Sequence, residues 1–112
     1  MNIDINIDID KVNLLMTALR GYLRSNGLKV LSIARATGQK YVNIALRGLF
    51  WYYTPIPDYP KLMNVIKDIK GDERALVRLR EYGIDIIELN GEYYLRMHVS
   101  TLAKLVKEAL EG

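Results

Sequence analysis

The sequence predicts a mainly α fold of the α+β class, with about six helices, a strand at the N-terminus and a β-hairpin near the C-terminus. Three observations carry this reading. Isoleucine alternates strictly over the first nine residues, apolar residues recur at spacings of three and four over most of the remainder, and one Asn-Gly pair stands between two β-prone runs. With 112 residues, half of them hydrophobic, the chain can bury one core and is read as a single domain over 1–112.

In the first segment Ile3, Ile5, Ile7 and Ile9 fall on one side of an extended chain, and Asn2, Asp4, Asn6 and Asp8 on the other. That is the pattern of a half-buried strand. Asp10 stands where an N-cap belongs, because its carboxylate can accept from the free N–H groups of a first turn. Val12, Leu15, Met16, Leu19, Tyr22 and Leu23 follow at helical spacing and leave Arg20 and Arg24 outside. Asn26-Gly27 is the expected end of this helix, since glycine takes the left-handed conformation of a C-cap without steric cost.

A second helix is predicted over 29–37, with Val30, Ile33 and Ala34 inward, and a third over 39–51, the two separated by Gly38. On the third helix Gln39, Lys40, Asn43 and Arg47 lie within an arc of roughly a hundred degrees, while Ala45 and Leu49 face inward. The prolines of TPIPDYP, over 54–60, forbid a continuous helix there. A fourth helix opens at Pro60 and stops at Gly71, and a fifth is capped by Asp72 and stops at Gly83. Strands over 84–89 and 92–97 flank Asn90-Gly91, the strongest short hairpin signal. With Leu89 opposite Glu92, Asp85 falls opposite Arg96, an opposite-charge pair that supports the register. A last helix runs from 99 or 100 to 111, with Leu102, Leu105, Val106, Ala109 and Leu110 apolar.

Charge is distributed unevenly. Between Lys11 and Pro57 there is no Asp or Glu, while Lys11, Arg20, Arg24, Lys29, Arg35, Lys40 and Arg47 are all cationic. The half from 58 to 112 is close to neutral. A surface polarised in this way suits a polyanion. The chain has no cysteine, which removes disulfides, thiolate zinc sites and cysteine nucleophiles together. His98 is the single histidine, so a two-histidine metal site is excluded, and no glycine-rich phosphate loop precedes a helix. Asp4, Asp8 and Asp10 could meet a hard cation but are read as solvating one strand face. An enzyme, a metal or a cofactor is not expected. The N-terminus is acidic, opposite to the basic start of a signal peptide, and no apolar run approaches the ~20 residues of a membrane span. A cytoplasmic protein without membrane contact is expected.

Residues 30–49, VLSIARATGQKYVNIALRGL, resemble the helix-turn-helix of phage-repressor-like DNA-binding proteins, with Ala34, Gly38 and Ile44 at the places of its small packed residue, turn glycine and inward aliphatic. Residues 79–97, and the hairpin of 84–97 above all, resemble the end of a recognition helix running into the wing of a winged-helix domain, with Tyr94 and Leu95 near the close of the hairpin. The resemblances imply a helix-turn-helix core and double-stranded DNA as partner, in a small transcriptional regulator. The helix over 39–51 is the favoured reader. The fifth helix is the reader if the winged-helix likeness holds strictly, although Asp72, Glu73 and Glu81 suit it poorly to phosphate. In the favoured arrangement Gln39, Asn43 and Arg47 reach base edges, and Lys29, Arg35 and Lys40 neutralise phosphates.

Two other readings stand beside this one. The isoleucine strand and the last helix could pair with a second copy, as a homodimer or as a protein-interaction module without nucleic acid. The run Phe50, Trp51, Tyr52 and Tyr53 offers Trp51 and Tyr53 for stacking on unpaired bases of single-stranded nucleic acid or RNA. Its plainer role is for Phe50 and one or two tyrosines to seal the core under the proline loop.

Overall fold

The structure, a computed structural model, describes residues 10–112. The strand expected over 2–9, with Asp4 and Asp8, lies outside the described residues. Four α-helices, one 3-10 helix and three strands follow in the order α1 (Lys11–Ala36), β1 (Tyr41–Ala45), the 3-10 helix Leu46–Tyr52, α2 (Leu62–Lys70), α3 (Glu73–Glu81), β2 (Ile84–Leu89), β3 (Glu92–His98) and α4 (Val99–Glu111). The class is α+β as expected, whereas the six helices are not found.

The first difference lies at Asn26-Gly27, which does not end a helix: α1 runs through it for 26 residues and absorbs the expected second helix. Gly27 is buried where α4 crosses α1, and a Cβ there would stand 2.8 Å from Val106 Cγ2. The glycine therefore serves close approach and not a left-handed cap. Asn26 stays helical as well, its side-chain amide donating to the Tyr22 carbonyl and to the Tyr52 hydroxyl, both at 3.2 Å. Arg24 Nε donates to the Ala109 carbonyl, and Val99 N–H donates to the Lys40 carbonyl at 2.8 Å, so α4 runs antiparallel along the second half of α1. The side of α1 buried here carries Leu23, Gly27, Leu31 and Ala34, which leaves Ile33, expected inward, exposed.

The second difference is the segment over 39–51. It is a strand followed by a 3-10 helix, with no α-helix. Gly38 does make a turn, at φ +67, but the chain leaves it extended. In β1 Val42 and Ile44 are buried while Tyr41 and Asn43 are exposed, a period of two. The partner is β3, in antiparallel register from Tyr41 opposite His98 to Ala45 opposite Tyr94. β2 pairs on the other side of β3, giving the sheet order β1-β3-β2. The hairpin itself follows the expected register, with Leu89 opposite Glu92 and Asp85 opposite Arg96. Asn90 (φ 52) and Gly91 (φ 80) turn it, both in the left-handed region that a two-residue loop requires.

α2 and α3 lie where expected, except that α2 begins at Leu62, beyond Pro60. Asp72 accepts from the N–H groups of Arg74 and Ala75, closing the first turn of α3. One core joins these elements: Leu15, Met16 and Leu19 of α1, Leu46 and Leu49 of the 3-10 helix, Ile66 and Ile69 of α2, Leu79 of α3 and Leu95 and Met97 of β3 are all fully buried. The helices thus cover one face of the sheet, the face of Val42, Ile44, Leu95, Met97 and Ile84.

Candidate nucleic-acid interface

Because 39–51 is not a helix, the residues expected to read bases do not share a helical face. Gln39 follows the turn and is exposed, its N–H bound to the Ala34 carbonyl. Asn43 lies on β1, opposite Arg96. Arg47 is the second residue of the 3-10 helix and pairs with Glu92 at 2.9 Å while its side chain stays 72% exposed. Lys29 and Arg35 are exposed on the second half of α1, and Lys40 is exposed just before β1. The structure brings Arg35, Gln39 and Lys40 to the neighbourhood of the α1 C-terminus and separates them from Arg47 by the length of β1.

A second set of cations, outside the basic stretch of 11–57, lies on the two short helices. α2 and α3 are joined through Gly71 and Asp72, and α3 gives way at Gly83 (φ +84) to the hairpin. Ala75 and Leu79 anchor α3 in the core, and this turns Arg74, Val77, Arg78 and Arg80 to solvent together with Glu73 and Glu81. Arg78 is held by Asp10, with Nη1 2.7 Å from each carboxylate oxygen, and Arg80 Nε lies 3.4 Å from Asp85. Arg74 makes no ion pair among the described residues, and neither do Lys61 and Lys67 at α2. Lys70 is drawn to the hairpin, 3.7 Å from Glu88 and 4.5 Å from the centroid of Tyr93.

Between the N-termini of α1 and α3 there is a cavity of about 420 Å³ lined by Asp10, Lys11, Asp72, Arg74 and Arg78. Its carboxylates are spent internally, Asp10 on Arg78 and Asp72 on Lys11 at 2.8 Å. Burial works to raise the Asp10 carboxyl, but the Arg78 guanidinium and backbone N–H groups outweigh it and hold the group below the ordinary value. Asp72 is also lowered, first by Lys11 and then by the capped backbone. Both acids remain ionised beside the cations, so the cavity carries nearly balanced charge with Arg74 as its surplus.

The aromatic run divides. Tyr52 packs edge-on against Tyr22, with ring centroids 5.9 Å apart, and the Tyr53 hydroxyl donates to the Tyr59 carbonyl at 2.6 Å. These two tyrosines make the seal under the proline loop. Phe50, expected to join them, is 46% exposed, because Leu46 and Leu49 take the inward positions of the 3-10 helix. Trp51 projects into solvent at 90% exposure, and Tyr53, the other stacking candidate, has its hydroxyl engaged. On the last helix Leu110 is the large apolar residue turned outward, at 48%.

His98 accepts from Ser100 N–H through Nδ1 and so caps α4, a structural role not visible in the sequence. Among the described residues no cluster of three His, Asp or Glu side chains could hold a metal ion, and no helix is long and apolar enough to cross a membrane. Comparison with protein-family models, with curated proteins and with solved structures finds no match.

Proposed function

We propose that the chain binds double-stranded DNA, with α3 as the helix that enters the major groove and α2 as the helix that braces it. The observation that carries this reading is the unit α2, Gly71-Asp72, α3, running directly into the β2–β3 hairpin, with Arg74 and Arg80 exposed on its second helix. Two helices joined by a short glycine-containing turn with a hairpin after them make the arrangement that the winged-helix likeness of 79–97 implies. The reading helix is thereby moved from 39–51 to α3.

On this reading Arg74 and Arg80 supply the forked donors that recognise guanine or phosphate, and Lys61 and Lys67 of α2 meet the backbone as point charges. Arg80 must exchange its exposed contact with Asp85 for the duplex, a small cost because solvent-exposed pairs are worth about 0–1 kcal/mol. Glu73 and Glu81 on the same helix repel phosphate; at about 100° per residue Glu73 projects on the side of Arg80 and Glu81 on the side of Arg74, so each arginine must reach past an acidic neighbour at the other end of the helix. Lys29, Arg35 and Lys40 belong to another surface: Lys29 already lies about 27 Å from the start of α1 at ~1.5 Å per residue.

The test is a fluorescence-anisotropy titration of the chain with labelled random duplex at low and moderate salt, repeated with Arg74→Ala combined with Arg80→Ala. Binding that weakens steeply with salt and falls by ~10-fold or more in the variant supports α3 as reader. Absence of duplex binding at low salt returns the chain to the protein-interaction reading, in which the basic half meets an acidic partner or a second copy.

A further inference from the structure

The face of the sheet turned away from the helices is covered by no described element. Read across the strands, it presents Tyr41 beside His98, then Asn43, Arg96 and Asp85 in one row, then Ala45, Tyr94 and Ile87 in the next. Tyr41 is 51% exposed and Asn43 is exposed. Asn43 lies on this face, while Lys40 precedes β1 and Arg47 follows it, at opposite ends of the strand.

Arg96 is the unusual member. Its guanidinium lies over the Tyr41 ring, with Cζ 4.5 Å from the centroid, and it enters no ion pair or side-chain hydrogen bond among the described residues. Asp85, its cross-strand neighbour, turns to Arg80, and Glu92, the other carboxylate of this face, is taken by Arg47. The carboxylates of this face are thus engaged by other partners, while Arg96 and Lys40 enter no ion pair among the described residues. Among the described residues Arg96 is held by an aromatic ring and not by an acid, and none of its five N–H donors is engaged there.

We propose that this outer sheet face binds single-stranded nucleic acid. Tyr41 and Tyr94 supply ring surface for unstacked bases, and Arg96 between them donates to a phosphate or a base edge, with the Asn43 amide opposite it. Arg96 and Tyr94 stand two residues apart on β3, about 7 Å at ~3.4 Å per residue, so Tyr41, Arg96 and Tyr94 form an oblique row that an extended strand can follow. Aromatic side chains on an open sheet with flanking cations form the kind of surface that stacks unpaired bases with little sequence preference. A duplex cannot stack on it, because its bases are stacked on one another. This surface is distinct from α3 and does not rest on the duplex reading.

The experiment titrates labelled single-stranded DNA, single-stranded RNA of the same sequence and the corresponding duplex with the full chain and three variants, Tyr41→Ala, Arg96→Gln and, on α3, Arg74→Ala, which leaves the Arg80–Asp85 contact in place, each checked for folding by circular dichroism. The expected result is that Tyr41→Ala and Arg96→Gln each weaken single-strand binding by about tenfold and leave duplex binding unchanged, while the α3 variant keeps single-strand binding. Equal affinity for DNA and RNA, or tighter binding of RNA through its ribose hydroxyls, both uphold the proposal. No single-strand binding at low salt overturns it, as does single-strand affinity unchanged in folded Tyr41→Ala and Arg96→Gln. If Arg96→Gln does not fold, Tyr41→Ala decides alone, its ring being half exposed.

Discussion

Gly27 of α1 lies against Val106 of α4, so close that a Cβ would stand 2.8 Å from Val106 Cγ2. Alanine would favour the helix by about 1 kcal/mol over glycine, yet its methyl group has no space there. Displacing Val106 or parting the helices costs about 1–3 kcal/mol. Gly27→Ala is therefore expected to destabilise the chain by about 1 kcal/mol on balance, measured by denaturant unfolding. In a Val106→Ala background the same substitution is expected to stabilise, because the obstructing methyl groups are gone. Destabilisation of equal size in both backgrounds would show that the contact is not the cause.

The same glycine shows why part of the fold escaped a reading of the sequence. A Gly after Asn near the end of an apolar stripe has the form of a C-cap, and only the crossing of α4, some eighty residues away in the chain, explains why it stays helical. The segment YVNIA is ambiguous in the same way. Its helical arrangement placed Gln39, Asn43 and Arg47 together, and its alternation fits a strand equally well; the choice is made by Leu95 and Met97 of β3, with which Ile44 and Val42 pair. Signals held within a few residues were legible: the Asp72 cap, the ends at Gly71 and Gly83, the Asn90-Gly91 turn, and Asp85 opposite Arg96. At the candidate surfaces the arginines of α3 stand in the sequence among Asp72, Glu73 and Glu81, and their acidic neighbours mask the positive side that the fold exposes. The stacking of Arg96 on Tyr41 was not visible, since it joins residues 55 positions apart.

The bidentate contact between Asp10 and Arg78 ties the start of α1 to α3 and should appear as an acid-dependent part of stability. The folded state holds the Asp10 carboxyl below its ordinary value of 3.8. Stability from a group lowered on folding is full above the unfolded value and is lost as pH falls through the folded one. Asn at position 10 can still cap α1, so Asp10→Asn isolates the charge. At neutral pH this variant is expected to melt at a lower temperature than the natural chain, with the difference shrinking as pH falls below 3.8. A difference that stays constant into strong acid would mean that the ion pair contributes nothing.

Tyr59 gives the opposite end of the pH scale. Its hydroxyl donates to Asp68 at 2.8 Å, and its backbone carbonyl accepts from Tyr53, so it fastens the proline loop to α2. The hydrogen bond to Asp68, with burial and the negative charge of Asp68 added, pushes the phenol from 10.0 up to about 12. A group raised on folding contributes stability that is full below the unfolded value and is lost as pH rises through the folded one. Tyr59→Phe is expected to cost about 0.5–1.5 kcal/mol at neutral pH, and the natural chain should lose this advantage between pH 10.0 and about 12. Unfolding curves taken at several alkaline pH values measure it, and a natural chain that keeps its full advantage at the upper end would refute the assignment.

Arg47 and Arg74 separate the two assignments of the reading surface most sharply. Arg47, expected in the sequence to reach a base, lies in the first turn of the 3-10 helix beside Glu92, its side chain 72% exposed. Arg74 stands on the exposed side of α3 with no ion pair among the described residues. If α3 is the reader, Arg47→Ala leaves duplex affinity unchanged and alters stability by less than about 1 kcal/mol, as loss of an exposed pair does. Arg74→Ala weakens duplex binding, and if its partner is a phosphate the slope of log affinity against log salt falls by about 1. A base contact would instead cost about 1–3 kcal/mol at one sequence and leave the slope nearly intact. Duplex titrations of both variants over a salt series distinguish these outcomes. Loss of binding in Arg47→Ala with none in Arg74→Ala would move the reading surface off α3 and toward the junction of β1 with the 3-10 helix.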